Sequence, residues 1–151
     1  WKVNSLMIIP KYYFIKDIIE KRNPLSVGAK RAGWVGCNIN ISKIPELGRI
    51  YLIKDSVIIN KNQVQEKWQQ TCFLKSQTLE ARGWLLDLML CIEKIPDQIF
   101  TLAQVYSFEA YLQQMHPNNN HVKDKIRQQL QFLRDRGMIG FLGGGKYIKN
   151  I

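Results

Sequence analysis

The chain has 151 residues, 46% of them hydrophobic, and its 22 lysines and arginines outweigh 12 aspartates and glutamates, for a formal net charge of +10. This is enough for one globular domain or two small ones, and the charge favours a polyanionic partner, as in nucleic-acid-binding, ribosomal and membrane-surface proteins. No apolar run approaches the roughly 18 residues of a membrane helix, and the start does not resemble a signal peptide. We therefore expect a cytoplasmic protein with no membrane partner.

The three cysteines, Cys37, Cys72 and Cys91, lie far apart and form no Cys-x-x-Cys pattern. An odd number of separated cysteines favours buried thiols in a reducing compartment over a disulfide framework. Even with His116 and His121 added, the spacing supplies no zinc ligand set. We expect no metal site among these residues.

Hydrophobic periodicity and glycine content predict a first half that mixes strands and helices. The predicted segments are, in chain order, a buried strand at residues 5–9, a short helix within 11–22, a glycine-rich loop over 24–40, strands at 36–41 and 49–54, and a helix at 60–74. The chain starts at Trp1, with no methionine, and its first residues look like the approach to a strand. We therefore expect a fragment of a longer protein.

A polar stretch at residues 76–83 predicts a domain boundary, and the pattern beyond it is strongly helical. An apolar face over residues 84–95 predicts the first helix of this second half. Thr101 and Gln104 form a capping box that begins the next helix, predicted over residues 102–115.

A basic helix and a hairpin end the chain. The helix is predicted over residues 119–136 and ends at Gly137, because glycine readily adopts the left-handed conformation of a helix C-cap. The glycines at 143–145 then join two short strands at 138–142 and 146–151. Three helices followed by a hairpin is the order of a winged helix-turn-helix.

The basic helix carries two stripes. Its apolar stripe, which must pack against the domain, consists of Val122, Ile126, Leu130 and Leu133. Beside it lies a polar stripe of Asn120, Lys123, Arg127, Gln131 and Arg134. Amides can read base edges and cations can hold phosphates, and a hairpin with two lysines follows. A solvated helix next to a hairpin is the alternative, but the amide content and the basic hairpin favour DNA binding.

The sequence contains no recognisable catalytic constellation. Nucleases that use Mg²⁺ commonly carry an acidic-x-Lys pair on one strand, yet none of the 12 acidic residues has Lys or Gln two positions later. His116 and His121 flank a turn without an adjacent nucleophile. The glycine triplet lacks the Lys-Ser or Lys-Thr of a phosphate-binding loop. We predict no catalytic residue in these 151 positions.

Trp34 lies between glycines and close to Lys30 and Arg31. Such a tryptophan commonly packs a domain interior. The alternative is an aromatic surface placed against DNA, where it contacts a base methyl group while the neighbouring cations hold the backbone.

Four segments closely resemble the DpnI, or Dam-replacing, family of restriction endonucleases. They are RAGWVGCNI at residues 31–39, GRIYL at 48–52, KIRQQLQFLRD at 125–135 and GKY at 145–147. The match runs in order over nearly the whole chain. The resemblance implies a type II, methyl-directed endonuclease that cleaves GATC sites only when the adenine carries an N6-methyl group.

The resemblance also implies a domain plan. The fold class would be α+β, with residues 1–75 as the C-terminal half of a restriction-endonuclease-like nuclease domain and residues 77–151 as a winged helix-turn-helix domain. The family's Mg²⁺-binding carboxylates and its cysteine-rich zinc site would lie before Trp1. Trp34 matches the family's loop tryptophan, which favours the methyl-adenine contact.

The predicted partner is double-stranded DNA, preferentially adenine-methylated, bound by a monomer. In the first half the predicted DNA contacts are Trp34, Lys30 and Arg31. Base or groove contacts are predicted at Asn120, Lys123, Arg127, Gln128 and Gln131. Phosphate contacts are predicted at Lys125, Arg134, Lys146 and Lys149. The alternative function is a winged-helix regulator that binds DNA without cleavage and uses its N-terminal half for dimerisation or effector binding.

Overall fold

The computed structural model describes residues 2–150, and the chain forms two compact units, residues 1–82 and 83–151. Both units combine helices with antiparallel sheet, so the prediction of a mixed α+β chain is confirmed at that level. The predicted domain boundary near residue 76 stays a prediction. No helix within residues 2–150 is long and apolar enough to cross a bilayer.

Unit 1 contains two small sheets and one α-helix. Its elements are β1 (Leu6–Ile8), β2 (Ile19–Lys21), β3 (Cys37–Ile39), β4 (Ile50–Lys54), β5 (Val57–Ile58) and α1 (Lys61–Thr71). Strand β4 is central in an antiparallel sheet of order β1-β4-β5, and β2 pairs with β3 in a separate antiparallel ribbon. Short 3₁₀ helices supply part of the core between the strands, through Tyr12, Tyr13 and Ile18.

Two predictions for unit 1 are wrong. The strand at residues 5–9 is not buried, because β1 lies at a sheet edge with Leu6 47% and Ile8 38% exposed. The short helix within residues 11–22 is replaced by two 3₁₀ turns and strand β2. Ile15 separates those turns in an extended conformation (φ −101°, ψ 166°), as suits a β-branched residue.

The cysteines correct a third expectation. Cys91 is buried, but Cys37 and Cys72 are exposed. Cys37 lies on β3, whose three residues are all exposed, and Cys72 follows the largely exposed helix α1. Within residues 2–150, no three His, Cys, Asp or Glu side chains cluster so as to hold a metal ion.

Unit 2 is a set of helices followed by a hairpin that belongs to a small sheet. Its elements are α2 (Leu79–Lys94), within which the unit begins, β6 (Ile99–Thr101), α3 (Leu102–Tyr106), α4 (Glu109–Met115), α5 (Val122–Asp135), β7 (Ile139–Gly143) and β8 (Lys146–Lys149). The predicted capping box is confirmed, since Thr101 Oγ1 accepts from the N–H of Gln104 at 3.2 Å and Gln104 Oε1 accepts from the N–H of Thr101 at 2.8 Å.

The structure differs from the prediction at two places in unit 2. The helix predicted over residues 102–115 is broken into α3 and α4 at Ser107, whose hydroxyl donates to the carbonyl of Gln104 at 2.7 Å and so competes with the helix backbone. Strand β6 was not predicted. It pairs with β8, with Ile99 opposite Ile148, and makes the sheet three-stranded in the order β6-β8-β7.

Candidate nucleic-acid interface

Helix α5 has one fully buried face and one polar face. Its apolar stripe is confirmed as core, with each of Val122, Ile126, Leu130 and Leu133 at most 3% exposed. Packing of that stripe fixes the rotation of the helix about its axis, and therefore which residues point outward. Asn120, Lys123, Arg127, Gln128, Gln131 and Arg134 are exposed, and Lys125 is half-buried.

One flank of α5 is tied to the two preceding helices. Arg127 Nε donates to the hydroxyl of Tyr106 at 2.6 Å, and its guanidinium carbon lies 5.9 Å from the centre of that ring. Lys123 Nζ lies 5.6 Å from the same ring and 3.3 Å from Glu109 Oε2. Both cations predicted to reach bases are thus oriented by α3 and α4.

The other flank borders an open groove of about 520 Å³ at the start of α5. The groove is lined by Asn118, Asn119, Asn120, His121, Asp124, Lys125 and Gln128. Three of these residues were predicted DNA contacts: Asn120, Lys125 and Gln128. Lys125 Nζ donates to Gln128 Oε1 at 2.8 Å, which ties the cation to the amide. Four of the seven lining residues are asparagine or glutamine, so the groove can form hydrogen bonds with a polar ligand.

The turn before α5 is anchored at both ends. Asn119 Oδ1 accepts from the N–H of His121 at 2.8 Å, and the N–H of Asn119 donates to the carbonyl of His116 at 3.0 Å. His116 is in turn held by α2, where its ring stacks on Trp84 at 3.9 Å and its Nε2 lies 2.8 Å from Asp87 Oδ2. The turn is therefore connected to the helical core through a nearly buried pair.

The hairpin β7-β8 presents its two lysines differently. Gly143, Gly144 and Gly145 all have positive φ, as the predicted tight turn requires. Lys146 is exposed at the end of this turn and forms no side-chain hydrogen bond or ion pair with other described residues. The ammonium of Lys149 instead donates to the carbonyl of Ile95, at the end of α2. Lys146 is consequently the freer of the two cations.

In unit 1, the ribbon β2-β3 extends into a hairpin of residues 22–36, which we call the Trp34 arm. Two backbone hydrogen bonds continue the ribbon. The N–H of Arg22 donates to the carbonyl of Gly36 at 3.0 Å, and the N–H of Leu25 donates to the carbonyl of Trp34 at 2.9 Å. The region predicted as a loop is therefore ordered by backbone hydrogen bonds as a hairpin, and strand β3 begins at Cys37, within the strand predicted at residues 36–41. Trp34 is 53% exposed, so packing into a domain interior does not account for it. Lys30 and Arg31 are exposed in the turn of the arm.

The predicted contacts therefore form groups in both units. Lys30, Arg31 and Trp34 share the arm in unit 1, and the remaining nine residues belong to unit 2. Eight of them lie in α5 or the hairpin, whereas Asn120 lies in the turn before α5, because the helix predicted from residue 119 begins only at Val122. Tyr106 and Glu109 were missed by sequence reasoning. Their positions on α3 and α4 carry no local signal, because their relevance depends on contacts with residues that follow much later in the chain.

Two family models match the chain. The model of the DpnI, Dam-replacing family matches residues 1–77, and the model of its Dam-replacing HTH domain matches residues 80–149. Together they confirm the resemblance carried by the four segments. They also identify the C-terminal part as a helix-turn-helix domain, in which α5 follows the turn at residues 116–121.

Proposed function

The chain belongs to the DpnI, Dam-replacing family, and we propose on that premise that it is part of a methyl-directed restriction endonuclease. It binds duplex DNA, with preference for GATC sites whose adenine carries an N6-methyl group. The observation that carries the proposal is the amide- and cation-rich outer face of α5 in the helix-turn-helix domain. The first 75 residues contribute the C-terminal half of the nuclease domain.

Helix α5 reads bases from the major groove. The side chains of Asn120, Gln128 and Gln131 are of the type that pairs with the N6 and N7 edge of adenine, while Arg127 and Lys123 are of the type that pairs with guanine O6 and N7. A GATC site offers both edges. The groove at the start of α5 supports this assignment, since the N-terminal residues of a recognition helix make the base contacts.

Phosphate contacts fix the register of the domain on the duplex. Lys125, Arg134, Lys146 and Lys149 supply them, and Lys146 is the most accessible because no described side chain pairs with it. Arg134 shares an exposed ion pair with Asp135 at 3.0 Å, and such pairs are worth about 0 to 1 kcal/mol. A phosphate can therefore displace Asp135 at little cost. Lys149 must exchange the carbonyl of Ile95 for a phosphate.

The Trp34 arm supplies the methyl contact. An exposed indole can cover the N6-methyl group of an adenine, while Lys30 and Arg31 hold the adjacent backbone. Burial of one methyl-sized group is worth roughly 0.8 kcal/mol, or about a fourfold preference. The indole thus adds discrimination on top of the base contacts of α5.

We assign DNA cleavage to the complete enzyme of this family. The resemblance implies that the Mg²⁺-binding carboxylates and the zinc site of the complete enzyme are not among these 151 residues, in which no acidic-x-Lys pair occurs. In that arrangement Mg²⁺ would supply an activated water and stabilise the leaving group. The part played by the present 151 residues is recognition.

Equilibrium binding to three matched duplexes at one near-physiological salt concentration tests the proposal. The duplexes carry methylated GATC, unmethylated GATC and a scrambled site. We expect tightest binding to the methylated duplex, and a reduced methyl preference in Trp34→Ala. Trp68→Ala is the matched control, since Trp68 is a similarly exposed tryptophan (41%) on α1.

Equal binding to all three duplexes would contradict the proposal, because only phosphate attraction would then remain. Specific binding without methyl preference would instead favour a winged-helix regulator. Loss of preference in Trp68→Ala as well as in Trp34→Ala would indicate a general disturbance of unit 1 and would remove the assignment of the methyl contact to Trp34.

A further inference from the structure

Gly36 lies directly under the indole of Trp34. The two residues are two positions apart on one edge of the arm, so their side-chain positions fall on the same face. A Cβ atom built on Gly36 would lie 2.9 Å from both Cη2 and Cζ3 of Trp34 and 3.7 Å from Cδ of Arg22. Carbon atoms in contact prefer about 3.5 to 4.0 Å. The six-membered ring therefore occupies the space that any other residue at position 36 would need.

The backbone itself does not require glycine at this position. Gly33 has φ +79°, which favours glycine, but Gly36 is not among the glycines with positive φ. A Cβ at Gly33 would meet nothing within 4 Å, whereas one at Gly36 meets the indole. The two glycines that flank Trp34 thus have different roles: Gly33 shapes the turn, and Gly36 admits the ring.

We propose that Gly36 is a positioning residue for Trp34 and a determinant of methyl specificity. The inference rests on the proposed function, in which Trp34 contacts the methyl group. The indole of Trp34 covers Gly36 with one side of its ring. About half of Trp34 remains exposed and available to a ligand. Arg22, across the ribbon, borders the same space with its aliphatic stem.

A methyl contact depends on such positioning because dispersion attraction falls off over a short distance. A gap of about 0.5 to 1 Å already forfeits a quarter to a half of the contact energy. An alanine at position 36 forces the ring to move by a comparable amount, since the indole can rotate about its side-chain bonds while the paired backbone of the arm cannot easily yield. The hydrogen bonds and charges that bind unmethylated DNA are not altered by this movement.

The test combines Trp34 fluorescence with duplex binding in Gly36→Ala and in the control Gly28→Ala, where an added Cβ meets nothing within 4 Å. Subtraction of the spectrum of Trp34→Phe isolates the emission of Trp34 from that of the other tryptophans. We expect Gly36→Ala to change the acrylamide quenching of Trp34 and to lower the preference for methylated over unmethylated GATC by about 1.4-fold to twofold, which is a quarter to a half of the methyl contact energy. Affinity for unmethylated DNA should be unchanged. Gly28→Ala should change neither.

A double-mutant cycle distinguishes an effect that acts through the Trp34 ring from a general disturbance of the fold. In a Trp34→Ala background the clash is absent, so Gly36→Ala should have no further effect on methyl preference. An additional loss there would overturn the proposal, as would unchanged quenching, or changed quenching with the preference intact. If the wild-type chain itself shows no methyl preference, the proposed function has failed. This outcome is seen in the wild type alone, so it can be told apart from a failure of the Gly36 proposal, which is seen only in the variants.

Discussion

The Nε of Arg127 donates a 2.6 Å hydrogen bond to the hydroxyl of Tyr106, and this bond links α5 to the first helix of the broken pair α3-α4. A long, flexible arginine loses conformational entropy when it binds a base. Under the proposed function, Tyr106 would restrict the side chain of Arg127 before DNA binds. The structure thereby adds a positioning partner to a contact that was predicted from α5 alone.

Tyr106→Phe should reduce sequence discrimination more than overall affinity. The variant keeps the ring that Lys123 and Arg127 approach but removes the hydroxyl, and a hydrogen bond to a charged group contributes roughly 1.5 to 3 kcal/mol at most. Since the site is partly exposed, we expect a severalfold loss of preference for GATC over the scrambled duplex, with little change in unfolding free energy. Competition binding with the two duplexes measures the loss of preference. Unchanged discrimination would mean that Arg127 leaves Tyr106 in the complex.

Lys146→Ala should weaken binding to methylated, unmethylated and scrambled duplexes alike. Lys146 is an exposed cation at the end of the hairpin turn, with no side-chain partner among residues 2–150. Loss of one phosphate contact lowers the slope of log K against log salt by about 0.9. Salt titrations of binding measure this slope. Lys67→Ala, which removes an equal charge from the exposed helix α1, is the control and should leave the slope nearly unchanged. A change in base preference would contradict a phosphate role.

His116→Ala should destabilise unit 2. The side chain of Asp87 is only 5% exposed, and its Oδ2 lies 2.8 Å from Nε2 of His116. The variant leaves this nearly buried carboxylate without its hydrogen-bond partner and also removes the ring that stacks on Trp84. Leaving such a buried polar group without its hydrogen bond costs about 1 to 3 kcal/mol. Urea unfolding followed by circular dichroism measures the loss. Asp87→Asn, which keeps the shape and a hydrogen-bonding group, should cost less, and an equal or larger loss in that variant would contradict the argument.

Cys91 should make folding stability decline at alkaline pH. Burial raises the pKa of its thiol to about 12, so the folded state favours the neutral form. This contribution is fully present below the unfolded-state pKa of about 8.5 and is lost as pH rises from there toward the folded value. Urea unfolding at pH 8 and pH 10 should therefore show a smaller decline in Cys91→Ala than in the wild type. In Cys37→Ala, which replaces an exposed cysteine, the free energy of unfolding should decline as much as in the wild type.

Several local features of unit 2 could be predicted from the sequence. The apolar stripe of α5, the capping box at Thr101, the stop at Gly137 and the glycine turn of the hairpin all occur as expected. Each depends on residues within a few positions of one another, where helical periodicity, side-chain capping or positive φ determines the conformation. The family resemblance likewise depends on contiguous segments.

Only the tertiary structure decided which partners the site residues have. Tyr106 and Arg127 are 21 residues apart, Asp87 and His116 are 29 apart, and β6 pairs with a strand nearly 50 residues later, as Ile99 opposite Ile148 indicates. Such contacts depend on how distant segments pack, and the composition of either segment alone does not determine them. The sequence therefore determined which side chains face outward on α5, and the packing determined how they are held.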